Sequence, residues 1–132
     1  MEAVAFLTEL DVRELGQDRW VLLAPLVYEG TLIHRITVPA GFETDLESVP
    51  RWLPLVYAVL YGTAHHAAVV HDWLYTTGMV NRQIADGVMY EALRARGEPA
   101  WKAYTIWAGI RLGGWVVWNK HRAQGGPRGP VV

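Results

Sequence analysis

The feature that most constrains the fold is the segment from Pro39 to Pro54, which separates two different hydrophobic patterns. Before this segment, short apolar or β-branched runs predict β-strands over 4–7, 20–23 and 32–38. After it, the spacing of apolar residues becomes helical. A block of strands followed by a block of helices predicts an α+β fold, in which a small N-terminal antiparallel β-meander packs against three to four α-helices.

Residues typical of helix ends divide the second half of the chain. Thr63 and Asn81 are suitable N-caps, and Pro99 is tolerated in the first turn of the last helix. Gly78 and Gly97 are typical helix terminators. We therefore expect three helices bounded by these residues, preceded by a short helix over 55–61.

The last predicted helix contains the most apolar window of the chain, over 107–118. Arg111 interrupts this window, which is shorter than the roughly 20 residues that a membrane span needs. We therefore expect a buried helix and no transmembrane segment. Four tryptophans on this helix are expected to build core, whereas any that stayed exposed would mark a partner surface: Trp101, Trp107, Trp115 and Trp118.

Length and charge limit the classes of protein that fit. The chain has 132 residues, which favours one domain over 1–123, followed by a Gly/Pro-rich tail over 124–132 that we expect to be disordered. Twelve Lys and Arg residues nearly balance thirteen Asp and Glu residues, so we expect no nucleic-acid partner. The absence of cysteine excludes disulfides, thiolate zinc sites and cysteine nucleophiles. No signal-peptide pattern is evident at the N-terminus, which predicts a cytoplasmic protein unless it leaves inside a larger particle.

Polar residues that are suited to catalysis or ligand binding concentrate between Gly41 and Asp86. Tyr75 lies one helical turn beyond His71 on the same face. The turn at Gly78 should fold the next helix back, so that Asp86 can face His71. We expect the irregular segment over 41–51 to lie over the His71 helix and to add acidic, hydroxyl and basic side chains to the same region.

Three interpretations of this cluster stay open from the residues alone. In the first, a buried ionic network fixes the loop onto the helices. In the second, His71, Asp72 and Asp45 bind a divalent metal, since imidazole and carboxylates are suitable ligands. In the third, Asp86 orients His71 so that its other ring nitrogen acts on a water molecule, with Asp72 and Tyr75 as further catalytic residues. The network would comprise Thr44, Asp45, Ser48, Arg51, Arg82, Asp86 and Arg111.

Three motifs occur in order along the chain: Gly-Phe-Glu-Thr-Asp-Leu-Glu-Ser-Val-Pro-Arg at 41–51, Ala-Ala-Val-Val-His-Asp-Trp-Leu-Tyr at 67–75, and Asn-Arg-Gln-Ile-Ala-Asp at 81–86. Together they resemble a domain family of unknown function, number 1353, found in tailed bacteriophages and prophages. The resemblance covers roughly 39–111. Glu47 departs from the family pattern, in which alanine is expected. The positions that match the signature are Thr44, Asp45, Ser48, Pro50, Arg51, His71, Asp72, Tyr75, Arg82 and Asp86.

The resemblance implies a phage genome as the source and supplies no established activity. It leads us to expect a phage-encoded accessory or virion-associated protein of the tail or its assembly, located in the host cytoplasm or the virion, with other phage proteins as partners. The alternative is a metal-dependent hydrolase of a cell-envelope or lipid-like substrate. That alternative would act through His71, Asp72 and Asp86. The segment from His71 to Tyr75 is also similar to the His-Asp-x-x-Tyr helix of secreted phospholipases A2, but the likeness is local, because their disulfides and calcium loop are missing here.

Overall fold

The computed structural model describes residues 4–16, 19–44 and 65–124, in which strands come first and helices follow, confirming the α+β fold. The predicted short helix over 55–61 and the tail beyond Gln124 lie outside these residues. The elements are β1 (Ala5–Phe6), β2 (Val12–Gly16), β3 (Arg19–Leu22), β4 (Leu26–Glu29), β5 (Arg35–Val38), β6 (Glu43–Thr44), α1 (His65–Thr77), α2 (Arg82–Ala95) and α3 (Ala100–Ala123).

The described strands form two antiparallel three-stranded sheets, ordered β1-β4-β5 and β2-β3-β6. The antiparallel prediction is confirmed, but the number and pairing of the strands differ from the three-stranded meander that the sequence predicts. Strand β4 lies between β1 and β5, and β3 belongs to the other sheet. Of the two longer missed strands, β2 lacks a continuous apolar run in its sequence Val-Arg-Glu-Leu-Gly and is mostly exposed. Strand β4 does begin with a short apolar run, Leu-Val-Tyr, which the sequence prediction overlooked.

The core lies between the β1-β4-β5 sheet and the helices. Tyr28 on β4 and Ile36 on β5 are buried in the same apolar cluster as Leu74 on α1 and Leu93 on α2. Each such side chain contributes about 1.5–3 kcal/mol when it is fully buried. This packing fixes α1 and α2 as the rigid support of the polar residues described below.

Of the predicted helix boundaries, the Thr63 N-cap lies outside the described residues, and the described helix ends follow the predicted pattern. Gly78 and Gly97 have positive φ angles of 63° and 88°, which suits glycine after a helix. The Asn81 side chain accepts a hydrogen bond from the Ile84 backbone at 2.8 Å and caps α2. Pro99 occupies the N-cap position of α3, one residue before the helix, rather than a place inside its first turn.

Helix α3 is buried on one face only, so the expectation of a buried helix over 107–118 is wrong in part. Trp101 is 65% exposed and Trp115 is 54% exposed, contrary to the prediction that these tryptophans build core. Small residues permit close packing, which leaves the large side chains on the outer face. Among the described residues, no helix is long and apolar enough to span a membrane. The buried face consists of Ala103, Ile106, Gly109, Ile110, Gly113 and Gly114.

Candidate functional site

The centre of the candidate site is the Asp86 carboxylate, which has no exposed surface. Its Oδ1 atom accepts hydrogen bonds from His71 Nε2 at 2.8 Å and from the Tyr75 hydroxyl at 2.6 Å. Its Oδ2 atom accepts from Arg111 Nη1 at 2.7 Å and, at the longer distance of 3.4 Å, from Arg82 Nη1. We call these five residues the Asp86 cluster.

Three helices supply the cluster, and helical geometry explains how they do so. His71 and Tyr75 are one turn apart on α1, as are Arg82 and Asp86 on α2. The turn after α1 brings these two pairs face to face, and α3 adds Arg111 from the other side. Of the seven residues predicted to form the network, the structure brings Arg82 and Arg111 to Asp86, whereas the Thr44 hydroxyl donates to Asp72 instead.

Electrostatics favour an ionised Asp86. Burial alone would raise the pKa of its carboxyl, but hydrogen bonding and positive charge from His71, with further bonds from Tyr75 and Arg111, hold this pKa below its ordinary value. Burial, followed by the negative charge of Asp86, raises the pKa of Tyr75, which therefore keeps its proton and donates it. Because a carboxylate only accepts, we assign the Nε2 proton to His71.

The second nitrogen of His71 differs from the rest of the cluster. His71 is completely buried, and its Nδ1 atom has no hydrogen-bond partner within the described part of the chain. The imidazole also lies against the Tyr75 ring, with centroids 4.2 Å apart. A general base would need its free nitrogen within hydrogen-bond reach of substrate or water, and the burial of His71 opposes that access.

Asp72 follows His71 in the sequence but projects about 100° away around α1. Its Oδ2 atom accepts from the Thr44 hydroxyl at 2.5 Å, and its Oδ1 atom is 3.5 Å from the Thr76 hydroxyl. The Asp72 carboxylate therefore lies away from the Asp86 carboxylate and borders a polar cleft of about 350 Å³. The described residues that line the cleft are Arg19, Glu43, Thr44, Asp72, Thr76, Val117, Lys120, His121 and Gln124.

Three predicted members of the site, Asp45, Ser48 and Arg51, lie outside the described residues, so their place in the network stays a prediction. The metal site of His71, Asp72 and Asp45 also stays a prediction, because Asp45 lies outside the described residues. Within residues 4–16, 19–44 and 65–124, no group of three or more His, Asp or Glu side chains is placed to hold a metal ion.

Arg122, on the last turn of α3, is a contributor that sequence reasoning missed. Its Nη2 atom donates to the carbonyl oxygens of Tyr75 at 2.6 Å and Thr76 at 2.9 Å, and its guanidinium lies 4.5 Å from the centre of the Trp118 ring. These bonds satisfy carbonyls at the end of α1. The partners are 47 and 46 residues apart in sequence, and no local pattern indicates such a contact.

Comparisons with known proteins agree with the motifs. Neither the curated proteins nor the solved structures gave a match to this chain. The family model described as "Protein of unknown function (DUF1353)" matches residues 20–110, which include α1, α2 and four of the five residues of the Asp86 cluster. The chain therefore belongs to the DUF1353 family.

Proposed function

We propose that this protein is a non-enzymatic accessory protein of a tailed bacteriophage, acting in the virion or in tail assembly, and that the Asp86 cluster fixes its conformation. The observation that carries this proposal is the complete burial of Asp86 with both oxygens occupied by donors from three helices. Such a carboxylate connects helices and offers no free oxygen to a substrate.

The geometry of the cluster supports an architectural role over a catalytic one. A buried charge is stabilised only when its donors are well placed, and removing one partner leaves an uncompensated group. Every donor to Asp86 comes from a different turn or a different helix, so the correct packing of α1, α2 and α3 is required to satisfy it. The cluster thus selects one arrangement of the helices.

The phage assignment draws on the family. The motifs at 41–51, 67–75 and 81–86 resemble those of a family found in tailed phages and prophages, and the family model covers residues 20–110. An accessory protein that binds other phage proteins needs a stable fold and a partner surface, and it needs no turnover. The buried cluster provides the first of these requirements.

The test is to locate the protein among phage particles. A phage or prophage that encodes this chain is induced, its virions are purified on a density gradient, and the protein is quantified by mass spectrometry against the major tail protein. We expect a fixed copy number per particle, or a drop in assembled tails when the gene is deleted. Absence from the particles together with normal tails and normal titre after deletion would contradict the proposal.

A metal-dependent hydrolase is the second candidate, and Asp72 is the observation that favours it. Of the predicted catalytic residues, Asp72 alone borders a cleft that a small substrate could enter, whereas His71 and Asp86 have no exposed surface. Purified protein would be assayed for metal content and for hydrolysis of ester and phosphodiester substrates. Turnover that is lost in Asp72→Asn and kept in the exposed control Asp11→Asn would favour the hydrolase. If the protein has only the accessory role, we expect the wild type to show no turnover.

A further inference from the structure

The outer face of α3 carries an apolar stripe that packs against nothing in the described chain. Trp101, Tyr104, Leu112 and Trp115 each keep more than half of their surface exposed. With about 100° of rotation per residue, they lie with Ala108 inside an arc of about 80°. We call these five residues the α3 stripe. An exposed apolar patch of this size marks an interaction surface.

The stripe contains no charge. From Trp101 to Asn119, the α3 residues on this side are Trp101, Tyr104, Thr105, Ala108, Leu112, Trp115, Val116 and Asn119, none of which is ionisable at neutral pH. One charged residue, Arg122, lies at the same helical angle nearer the end of α3, and its guanidinium donates to the carbonyl oxygens of Tyr75 and Thr76. Depletion of charge together with enrichment of aromatic residues is typical of the centre of a protein interface. The opposite face of α3 is already buried against the rest of the fold, so the stripe is the only unpartnered side of this helix among the described residues.

The spacing of the stripe suits a second copy of this chain as its occupant. Successive members are separated by 3, 4, 4 and 3 residues, a pattern that is symmetric about Ala108. An antiparallel copy of α3 that crosses at Ala108 therefore places Trp101 opposite Trp115 and Tyr104 opposite Leu112. A two-fold interface needs a surface that is complementary to itself, and this spacing meets that need. A different partner protein or a membrane would place no such demand.

We propose that two copies of this chain associate through the α3 stripe in an antiparallel, two-fold arrangement. The small side chain of Ala108 at the crossing point permits the interaxial distance of about 8–10 Å that packed helices adopt. Aromatic side chains bury 150–250 Å² each, so the exposed parts of the four large residues supply about 500–600 Å² per copy. With Val116 at the edge, this approaches the roughly 800 Å² per partner of a standard interface.

The oligomeric state of the full chain tests the proposal. Sedimentation equilibrium should give a mass about twice the chain mass of 14.8 kDa in the micromolar range, falling toward the monomer mass on dilution. Leu112→Glu buries an unpaired charge against Tyr104 of the other copy and should raise the dimer dissociation constant by about tenfold or more. The matched control is Leu23→Glu, because Leu23 is also exposed but lies outside α3, and this variant should dimerise as the wild type does.

Cysteine crosslinking tests the orientation, since the chain has no cysteine of its own. Ala108→Cys should crosslink to itself in high yield with a short bismaleimide. Trp101→Cys alone should not, because the two copies of residue 101 would lie about 20 Å apart along the helices. A mixture of Trp101→Cys and Trp115→Cys should crosslink. All three results are required by the antiparallel arrangement.

Three outcomes would overturn the proposal. The first is a wild-type chain that stays monomeric up to high micromolar concentration. The second is equal dimerisation of Leu112→Glu and wild type with both variants folded by circular dichroism. The third is a monomer that co-sediments with vesicles of phosphatidylcholine and phosphatidylglycerol through the same residues, which would assign the stripe to a lipid surface. These outcomes are independent of the proposed phage role, which the virion experiment tests separately.

Discussion

Asp86→Asn is the substitution that probes the Asp86 cluster most selectively. Asparagine keeps the shape of the side chain, but it removes the negative charge and replaces one acceptor oxygen by an amide group that donates. In one orientation the NH₂ group of the asparagine faces His71 and Tyr75, and in the other it faces Arg82 and Arg111. Either orientation sets donors against donors and leaves two guanidinium groups without their carboxylate.

The expected cost follows from the burial of each partner. Removing one member of a buried charge pair costs about 3–5 kcal/mol. Asp86 is completely buried, but the side chains of Arg82 and Arg111 are 20% and 30% exposed and can recover part of their solvation. We therefore expect the lower end, about 3 kcal/mol. For a chain of this size that loss lowers the melting temperature by about 10 °C.

Urea unfolding followed by tryptophan fluorescence and far-UV circular dichroism would measure this loss. Asp11→Asn is the matched control, since the same chemical change at an exposed aspartate should alter the free energy of unfolding by less than about 0.5 kcal/mol. If Asp86→Asn cost less than about 1 kcal/mol, the carboxylate would not be holding the helices together, and the reasoning from its four donors would be refuted.

Three further predictions concern pH and the end of α1. Because the pKa of Asp86 is lowered on folding, the unfolded state binds more protons than the native state as the pH falls. The stabilisation by Asp86 is therefore complete above about pH 5 and is lost as the pH falls below the ordinary pKa of the carboxyl, near 3.8. The free energy of unfolding, measured from pH 3 to 7, should accordingly change less with pH in Asp86→Asn than in the wild type. Arg122→Ala should cost about 1–3 kcal/mol in urea unfolding, because two carbonyls of α1 lose their donor. Gly78→Ala should cost about 2 kcal/mol or more and Gly97→Ala about 1 kcal/mol, since both have positive φ but only at Gly78 would a Cβ collide with Arg122; equal losses would contradict this reasoning.

The part of the site that could be predicted from the sequence depends on local geometry. His71 and Tyr75 are four residues apart on one helix, and the same is true of Arg82 and Asp86, so each pair shares a face. A single glycine-ended turn then brings the two faces together. Four residues of the Asp86 cluster follow from these short-range rules, whereas Arg111 reaches Asp86 from α3, 25 residues further along the chain.

Other features depend on long-range packing and could not be predicted in the same way. The placement of β4 between β1 and β5 requires knowledge of pairing across the sheet. Adjacency in sequence suggested that His71 and Asp72 act together, whereas the rotation of α1 directs Asp72 to Thr44 and the cleft. Trp101 and Trp115 are exposed although the sequence predicts them in the core, because small residues and two isoleucines occupy the buried face of α3, while Trp118 does pack against the core.

Thermal unfolding in the presence and absence of metal tests most directly whether the Asp86 cluster is architectural. Wild type and His71→Ala would be melted in excess chelator and in increasing Zn²⁺ or Mn²⁺, because a ligand that binds the native state raises the melting temperature with its concentration. We predict that His71→Ala melts well below wild type and that metal leaves both temperatures unchanged. A wild-type melting temperature that climbs with metal concentration, and does not climb in His71→Ala, would contradict an architectural cluster and establish a metal site.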